Sequence, residues 1–288
     1  MEPKSLRQIA VATGGAVWGA EETLVTSVGT DSRKGLPQQL FVALRGERFD
    51  GHEFIEAAQE SGAAAALVET VSPEWRTFPQ IEVPDTLKAL QRLARAYRAE
   101  LSLKVVGITG SNGKTSTKEM VAAILAEKYP VTKTEGNLNN HIGVPLSILR
   151  ADRSHQVAIW EFGTNHSGEI AASVELAKPG YGLITNVGVA HIEFLGSRQG
   201  IAREKAALAA SIPAEGVVVL NAEDEFSDWI AARCSARVIC TGIEQGTIQA
   251  RQILHHVDGE EFLLADESGE VSTFIPVPGE HMIRNAVQ

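Results

Sequence analysis

A short apolar run that leads into a glycine-rich turn constrains the fold of this chain more than any other stretch. Residues 105–120 read VVGITGSNGKTSTKEM, and the β-branched residues at the start favour a strand. Gly110 and Gly113 permit backbone angles that other residues resist. The next segment reads as a helix, so its first N–H groups and the positive end of its dipole would point at one anion. Lys114 can reach terminal phosphates and Thr115 can offer a hydroxyl to magnesium, so the stretch predicts an ATP-phosphate site.

The spacing of this motif is shorter than in the usual P-loop. That pattern has four residues between its glycines, whereas GSNGKT has two, and Ile108 stands at the expected first position. A glycine turn that merely starts a helix is the alternative. The order of strand, GK[ST] and helix favours the phosphate site. Its predicted residues are Gly110, Ser111, Asn112, Gly113, Lys114, Thr115 and Ser116.

Composition excludes several classes of protein. The chain has 288 residues, 44% of them hydrophobic and 22% charged, which suits a soluble protein of two domains. Its net charge of −10 argues against nucleic-acid binding. Cys234 and Cys240 cannot form a disulfide framework, and a reducing cytoplasm is their natural setting. The first residues lack the apolar core of a signal peptide, and no run approaches the roughly 20 apolar residues of a membrane helix.

Residues 1–83 are interpreted as a separate small α/β domain. Polar clusters follow two of its predicted strands, at residues 31–33 (DSR) and 45–52 (RGERFDGH). Each cluster alone would suit an ordinary surface loop. Polar groups at strand ends are also well placed for a ligand, and two arginine-bearing loops favour a phosphate or carboxylate.

A proline-bearing stretch, residues 71–84, is interpreted as the linker between domains. Asp85 would cap a helix over residues 86–101, whose apolar residues recur with helical spacing. This helix leads into a second domain, residues 84–288, which contains the predicted phosphate loop.

Three later strands of the second domain also end in polar residues. They lie at 157–160, 183–185 and 217–220, and helical patterns separate them, so a mostly parallel sheet is the economical arrangement. The carboxyl ends of its strands would share one edge, where ligands bind. Beyond Val238 the pattern favours β-strands, with a hairpin turn at residues 266–269. The residues predicted to converge at the edge are Thr109, Gly110, Glu161, Asn186, His191 and Asn221.

Several polar residues allow more than one interpretation. Glu161 is the expected carboxylate for the magnesium ion of ATP chemistry, or else a surface glutamate that caps the next helix. His191 is either structural or a ligand. The run of residues 203–205 (REK) reads by itself as a solvated helix face. The asparagines of residues 134–143 (TEGNLNNHIG) suggest either substrate contact or an ordinary turn.

Five motifs occur in an order that resembles the Mur ligases, the ATP-dependent amino-acid ligases of peptidoglycan synthesis. Residues 30–69 resemble the UDP-binding domain of that family. The stretches EFGTNHSGEI and EGNLNNHIGVP are similar to members that add a dipeptide. The five motifs are TGSNGKTSTKEM, TEGNLNNHIGVPLSIL, EFGTNHSGEI, ITNVGVAHIEFLGS and AREKAAL.

The resemblance implies an α/β protein with a small UDP-binding domain and a central P-loop ATPase domain that has a β-rich end. It implies a cytoplasmic monomer that uses ATP to join D-alanyl-D-alanine to UDP-N-acetylmuramoyl-tripeptide through an acyl phosphate. The alternatives are the ligase that adds the third amino acid and a non-catalytic nucleotide-binding fragment. The family also has a C-terminal domain that would begin where this sequence stops, so we expect little turnover from this stretch alone.

The resemblance further implies roles for individual residues. Lys114, Glu161, His191 and Lys205 would be catalytic. Two magnesium ions would be held by Thr115, Glu161, His191 and Lys205, the last as a carbamate formed with carbon dioxide. The nucleotide would also contact Asn221, Asp224, His281 and Asn285. The UDP-linked substrate would contact Ser32, Arg33, Arg45, Gly46, Asp50, Gly51, His52, Asn137, Asn139 and Asn140.

Overall fold

The computed structural model describes residues 1–34, 37–46, 49–72 and 77–288. It divides into two compact units. The first comprises Met1–Ser102 and Pro145–Ser154, and the second comprises Leu103–Val144 and His155–Gln288. This division differs from the sequence-based boundary between residues 83 and 84, which stays a prediction about domains. The predicted α/β class is confirmed, since both units combine helices with mainly parallel sheets.

In the first unit the larger sheet runs in the order β2-β7-β6-β5-β4. Strands β4 to β7 pair in parallel, β2 pairs antiparallel with β7, and β1 and β3 form a small separate ladder. Short 3-10 helices lie at Ser32–Lys34 and Gly51–Phe54. The elements are β1 (Lys4–Ser5), α1 (Leu6–Thr13), β2 (Ala16–Trp18), β3 (Leu24–Val25), β4 (Ser27–Gly29), β5 (Gln39–Val42), α2 (Ile55–Glu60), β6 (Ala63–Val68), β7 (Gln80–Glu82) and α3 (Thr86–Arg98).

The ends of α1 and α3 follow from their sequences. Ser5 and Gln8 form a capping box at the start of α1, and Gly14 ends that helix with a φ of 74°, an angle that glycine adopts without strain. The Asp85 carboxylate caps α3 by accepting from the Lys88 N–H. The start of α3 at Asp85 was predicted from the sequence, and it is confirmed.

The predicted linker, residues 71–84, is wrong near its C-terminal end. Residues 80–82 form β7, which lies between β2 and β6 in the sheet. Ile81 is fully buried, so this strand contributes to the core of the first unit. The flanking Pro79 and Pro84 suggested a linker, but proline is also compatible with positions just outside a strand. Pro73 lies outside the described residues.

In the second unit the sheet runs in the order β16-β15-β14-β13-β12-β11-β8-β10-β9. Strands β8 to β13 pair in parallel, β14 joins β13 in parallel, and β15 and β16 add an antiparallel end. Helix α5 crosses the boundary between the units. The elements are β8 (Lys104–Thr109), α4 (Lys114–Ala126), β9 (Val131–Lys133), α5 (Gly143–Arg150), β10 (Val157–Glu161), α6 (Glu169–Ala177), β11 (Tyr181–Ile184), α7 (Ile192–Leu195), α8 (Arg198–Ser211), β12 (Val217–Asn221), α9 (Ser227–Ala231), β13 (Arg237–Gly242), β14 (Ile248–His255), β15 (Glu260–Asp266), β16 (Gly269–Ile275) and α10 (Glu280–Val287).

The parallel part of this sheet positions the candidate site. Strand β8 lies between β10 and β11, and Ile108, Ile159 and Leu183 from these three strands share one buried cluster. The carboxyl ends of these three strands therefore lie side by side, as the sequence predicted. The hairpin at residues 266–269 is also confirmed, because β15 ends at Asp266 and β16 begins at Gly269. Within the described residues, the structure has no helix with the length and apolar character needed to cross a bilayer.

Candidate active site

The turn between β8 and α4 needs glycine at two positions. Gly110 has a φ of 152° and Gly113 a φ of 81°, both in a region that side chains with a Cβ rarely adopt. A Cβ at Gly110 would overlap the Thr185 hydroxyl, and a Cβ at Gly113 would overlap the Asn285 amide. The loop is therefore packed closely on its neighbours, and glycine is required by space as well as by backbone angle.

The segment after β11 fixes the shape of this turn. The Asn186 carbonyl accepts from the Ser111 N–H at 2.9 Å, and its side-chain oxygen accepts from the Asn112 N–H at 3.1 Å. The Thr185 hydroxyl donates to the Asn112 carbonyl at 2.6 Å. The predicted convergence of Asn186 with the phosphate loop is confirmed. The ordered loop can present its remaining backbone N–H groups to an anion at the start of α4.

Glu161 is buried beside the phosphate loop. It is 1% exposed, so the interpretation as a surface glutamate is wrong. One carboxylate oxygen, Oε2, accepts from the Thr115 hydroxyl at 3.0 Å, and the other accepts from Asn139 Nδ2 at 2.8 Å. The Glu161 N–H donates to the Thr134 hydroxyl at 3.0 Å. A carboxylate and a hydroxyl held this close are hard oxygen ligands that fit a magnesium ion.

Lys118 lies in the same cluster, and the sequence did not indicate it. Its side chain is fully buried, and Nζ donates to the Thr134 carbonyl at 2.8 Å. The same nitrogen lies 3.0 Å from Glu119 Oε1 and 4.0 Å from Glu161 Oε2. Lys118 therefore compensates the buried carboxylate of Glu161. Its spacing of four residues from Lys114 along α4 could have suggested a shared face.

Two predicted lysines, Lys114 and Lys205, carry perturbed pKa values. Lys114 Nζ donates to the carbonyls of Gly110 and Ser111 at 2.9 and 3.1 Å. Burial lowers the pKa of Lys114, and the charge of Glu161 partly opposes this. Lys205 is 2% exposed, and burial followed by the charge of Lys114 lowers its pKa to about 7. The structure thus brings Lys205 within electrostatic reach of Lys114.

Glu204 is a second residue that the sequence did not identify. Its carboxylate accepts from the N–H groups of Gly168 and Ile170 at 2.7 and 2.8 Å, and so caps the start of α6. Glu204 is 6% exposed. Because Glu204 and Lys205 are both buried, the interpretation of residues 203–205 as a solvated helix face is wrong for these two and holds only for the exposed Arg203.

His191 lies at the carboxyl edge but is not brought to Glu161 by any contact within the described chain. It is exposed and adopts a φ of 63° at the start of α7, where its carbonyl accepts from Phe194 and Leu195. The described residues contain no group of three or more His, Cys, Asp or Glu arranged around a metal position. The oxygen pair of Thr115 and Glu161 is therefore the structural basis for a metal site.

The residues predicted to contact the rest of the nucleotide are held to different degrees. Asp224 Oδ2 accepts from the Val187 N–H at 2.5 Å, which ties the loop after β12 to the loop after β11. Asn221 Oδ1 accepts from the Glu223 N–H at 3.0 Å. Asn285 is 7% exposed and lies against Gly113. His281 is exposed, and its ring would meet a Cβ at Gly279, so the structure places it beside its own helix start.

In the first unit, Arg33 is bound to its neighbour Asp31. Arg33 Nε and Nη2 donate to the two Asp31 oxygens at 2.8 and 3.0 Å, and these hydrogen bonds lower the pKa of Asp31 to about 2. The Arg33 side chain is 85% exposed. Ser32 is buried within the 3-10 helix. The guanidinium is therefore ordered yet open to solvent.

The second arginine loop of this unit is more tightly organised. Arg45 Nε lies 3.2 Å from both Asp50 Oδ2 and Glu69 Oε2. His52 Nε2 accepts from the Glu69 N–H at 2.8 Å, so Nδ1 carries the hydrogen that is donated to Asp50 Oδ1 at 2.6 Å.

Glycines close this loop. The Gly51 N–H donates to the Leu44 carbonyl and the Gly46 N–H to the Phe49 carbonyl. A Cβ at Gly51 would meet the Leu44 backbone at 2.7 Å. Glu47 and Arg48 of the same predicted loop lie outside the described residues.

The three predicted asparagines of residues 134–143 have separate roles. Asn139 bonds to Glu161, as described above. Asn140 Oδ1 accepts from the N–H groups of Ile142 and Gly143 at 3.1 and 2.8 Å and so orders the start of α5. Asn137 is exposed, and its carbonyl accepts from the Asn139 N–H. Of the three, only Asn139 has a described contact with Glu161, the carboxylate beside the phosphate loop.

Comparison with known proteins identifies the family of this chain. Residues 108–288 match the Mur ligase middle domain, and residues 24–98 match the Mur ligase family catalytic domain. The chain belongs to the Mur ligase family. The resemblance stated from the five sequence motifs is thereby confirmed.

Relatives and solved structures give the same result for this Mur ligase chain. It is 40% identical to the UDP-N-acetylmuramoyl-tripeptide–D-alanyl-D-alanine ligase of Bacillus subtilis over 93% of this chain and 58% of the relative. The ligase of that name from Escherichia coli is 40% identical over 98% of this chain and 63% of the relative. The chain thus spans about three fifths of the length of these relatives.

Among solved structures, MurF from Acinetobacter baumannii is similar with a TM-score of 0.91 and 35% identity over 100% of this chain and 64% of that one. MurF ligase from Thermotoga maritima, solved in complex with ADP, has a TM-score of 0.80 and 27% identity over 91% of this chain and 61% of that one.

Proposed function

We propose that the protein bearing this chain is an ATP-dependent ligase that joins D-alanyl-D-alanine to the terminal carboxylate of UDP-N-acetylmuramoyl-tripeptide. The observation that carries the proposal is the phosphate loop, whose Thr115 hydroxyl contacts the buried Glu161 carboxylate. The names of the Bacillus subtilis and Escherichia coli relatives support the choice of substrates.

The reaction has two steps in this proposal. The carboxylate of the UDP-linked peptide takes the γ-phosphoryl group of ATP, which gives an acyl phosphate and ADP. The amine of the acceptor dipeptide then attacks the carbonyl carbon, and phosphate leaves. Phosphorylation turns a poor leaving oxygen into a good one, so the protein contributes mainly positioning and stabilisation of charge.

Lys114 and the start of α4 bind the phosphates in this scheme. The Lys114 amine now donates to the carbonyls of Gly110 and Ser111, and it would exchange these for phosphate oxygens. Because phosphate oxygens carry negative charge and carbonyl oxygens do not, the exchange pairs two ionised groups and favours the bound anion. Ser111, Asn112 and Ser116 complete the proposed phosphate site.

The proposed magnesium site uses Thr115 and Glu161, whose oxygens fit the ion. Magnesium would neutralise charge on the transferred phosphoryl group. Lys118 Nζ lies 4.0 Å from one oxygen of this carboxylate, and Asn139 orients the other. We extend the proposal to a second ion near His191 and Lys205 on family resemblance.

Lys205 is proposed to be carbamylated. Its pKa of about 7 leaves a large neutral fraction near neutral pH, and only a neutral amine adds to carbon dioxide. The carbamate would replace a buried cation next to Lys114 by an anion, which removes a repulsion between like charges. A carbon-13 carbamate resonance in the full-length protein, supplied with labelled bicarbonate, tests this, and Lys205→Met must lack it.

The remaining predicted residues complete two substrate regions. Ser32, Arg33, Gly46 and Gly51, with the ordered Arg45, Asp50 and His52, are proposed to bind the UDP portion, and Asn137 and Asn140 the muramoyl-peptide. Asn221, Asp224, His281 and Asn285 are proposed to surround the adenine and ribose. We also propose a cytoplasmic monomer, in keeping with two free cysteines and an acidic chain that does not suit nucleic acid.

Phosphate release from ATP by the full-length protein tests this function. We expect release that requires both UDP-N-acetylmuramoyl-tripeptide and D-alanyl-D-alanine, and that Lys114→Ala abolishes. Release with UDP-N-acetylmuramoyl-dipeptide and a diamino acid would instead identify the ligase that adds the third residue. Release in neither case, with ATP still bound, would support a non-catalytic nucleotide-binding protein.

A further inference from the structure

The loop of residues 162–168, between β10 and α6, lies next to the phosphate loop. Strands β10 and β11 flank β8 on its two sides. The loops that follow these three strands therefore share one edge of the sheet. His166 lies in the first of them and Phe194 in the segment that follows β11.

Two glutamates hold this loop in one conformation. Glu204 accepts from the Gly168 N–H, and Glu169 Oε2 accepts from the N–H groups of Asn165 and His166 at 2.6 and 3.2 Å. The Thr164 hydroxyl donates to the His166 carbonyl at 2.8 Å. The backbone of His166 is thus fixed on both sides by hydrogen bonds.

The imidazole of His166 is ordered but open to solvent. Its side chain is 65% exposed, and Nδ1 lies 3.5 Å from Glu169 Oε1. The ring contacts Phe194 with a centroid distance of 4.9 Å and an interplanar angle of 53°. When Nδ1 faces the Glu169 carboxylate, that nitrogen carries the hydrogen and Nε2 is left as an acceptor. An oriented acceptor in a loop at the same sheet edge as the phosphate loop suits a general base.

We propose that His166 is the residue that receives the amino group of the acceptor dipeptide and takes its proton. The proposal rests on the ligase function proposed above and adds a residue that the function does not otherwise use. An amine enters as an ammonium ion, which has no lone pair and cannot attack a carbonyl. The exposed Phe194, Ile192 and Val189 offer apolar surface for the methyl groups of an alanyl dipeptide.

The proton and electron balance is simple. An ammonium N–H bond breaks, the proton moves to His166 Nε2, and the freed lone pair forms the C–N bond at the acyl-phosphate carbonyl. The C–O bond to phosphate then breaks with its electron pair on oxygen. The same nitrogen then loses a second proton to the departing phosphate, which leaves as hydrogen phosphate. His166 returns its proton to solvent.

The test separates the two half-reactions in the full-length protein. Hydroxylamine traps the acyl phosphate formed from ATP and UDP-N-acetylmuramoyl-tripeptide as a hydroxamate, without the acceptor. His166→Ala should form hydroxamate at a rate within about twofold of the parent protein, while kcat for amide formation with D-alanyl-D-alanine falls about 100-fold. His166→Gln should show the same loss, since its amide can bond but cannot take the proton.

His256 provides a matched control. It lies just beyond β14, with Nε2 3.4 Å from Glu261 Oε2 and its ring 6.3 Å from that of Phe274. His256→Ala therefore removes an exposed imidazole with a glutamate and an aromatic neighbour, and both half-reactions should be unchanged.

Each outcome decides the matter. Amide formation by both His166 variants within twofold of the parent protein would overturn the proposal. Equal loss of hydroxamate and amide in His166→Gln, at an unchanged melting temperature, would also overturn it, since the residue would not act on the acceptor. Absence of hydroxamate in the parent protein would instead contradict the ligase function itself. Should His166→Ala fail to fold, the more conservative His166→Gln gives the answer.

Discussion

The buried Glu161 carboxylate shows how single residues prepare the site. Its two oxygens and its N–H all have partners, from Thr115, Asn139 and Thr134. Lys118 adds a positive charge from inside the protein at 4.0 Å. The hydrogen bonds and the nearby cation thus replace the hydration that burial removes from this carboxylate.

Removing Lys118 should therefore destabilise the fold. Lys118→Met keeps the length of the chain but leaves Glu161 without its buried cation, and we expect a loss of about 3 kcal/mol in the free energy of unfolding. Lys128→Met, on an exposed lysine just after α4, should change it by less than about 0.5 kcal/mol. Urea denaturation measures both, and equal effects would contradict the assigned role of Lys118.

Lys205 should make stability depend on pH. Its folded pKa is about 7, below the value of about 10.4 in an unfolded chain. Between these values the unfolded chain binds more protons, so the free energy of unfolding rises with pH from about 7 to about 10 and is flat on either side. In buffers free of carbon dioxide, the difference between the parent protein and Lys205→Met should follow this curve. A difference that does not change with pH would contradict the lowered pKa.

At the scale of elements, the turn between β8 and α4 owes its shape to other loops. Asn186 and Thr185 bond to its backbone, and Asn285 in α10 packs against it. The strand, turn and helix could be predicted from residues 105–120, because β-branched residues, glycines and a GKT motif are local features. The partners of the loop come from distant segments, and only the parallel order of the strands made the convergence of Asn186 predictable.

The wrong or missing predictions also concern residues whose surroundings come from distant parts of the chain. Residues 80–82 were assigned to a linker because proline flanks them, yet burial of Ile81 in the sheet decides their conformation. Lys118 and Glu204 have side chains that usually lie in solvent, so nothing local shows that they are buried. By contrast, the start of α3 depends on the local cap by Asp85 and was predicted correctly.

Substitution in this turn should affect nucleotide binding directly. Gly113→Ala places a methyl group against the Asn285 amide at a φ of 81°, so we expect the turn to shift and the Kd for ATP to rise at least about tenfold. Gly14→Ala is the control, because Gly14 has a φ of 74° and more room around its Cβ position. Its alanine should lower stability by about 1 kcal/mol and leave the Kd for ATP unchanged. Calorimetric titration with ATP distinguishes the two.

At the scale of the whole molecule, the proposed function requires an acidic chain to bind two anionic substrates. The net charge is −10, so long-range attraction does not help ATP or a UDP-linked peptide to approach. Positive charge is instead concentrated locally. Lys114 and Lys118 lie in the phosphate-loop region of the second unit, while the Arg33 and Arg45 side chains are exposed in the first.

A substitution in one of these regions should therefore weaken the binding of its own ligand and leave the Kd of the other ligand unchanged. Arg45 is half exposed and ordered by Asp50 and Glu69, so its free N–H groups can bind a phosphate or carboxylate of the UDP-linked substrate. Arg45→Ala should raise the Kd for UDP-N-acetylmuramoyl-tripeptide about 10- to 100-fold, the value of a charge-assisted hydrogen bond, and leave the Kd for ATP unchanged. Arg7→Ala, which removes an exposed arginine paired with Glu21 and Glu22 in the same unit, should change neither. Equal weakening by both variants would show that general charge, and not the ordered loop, attracts the substrate.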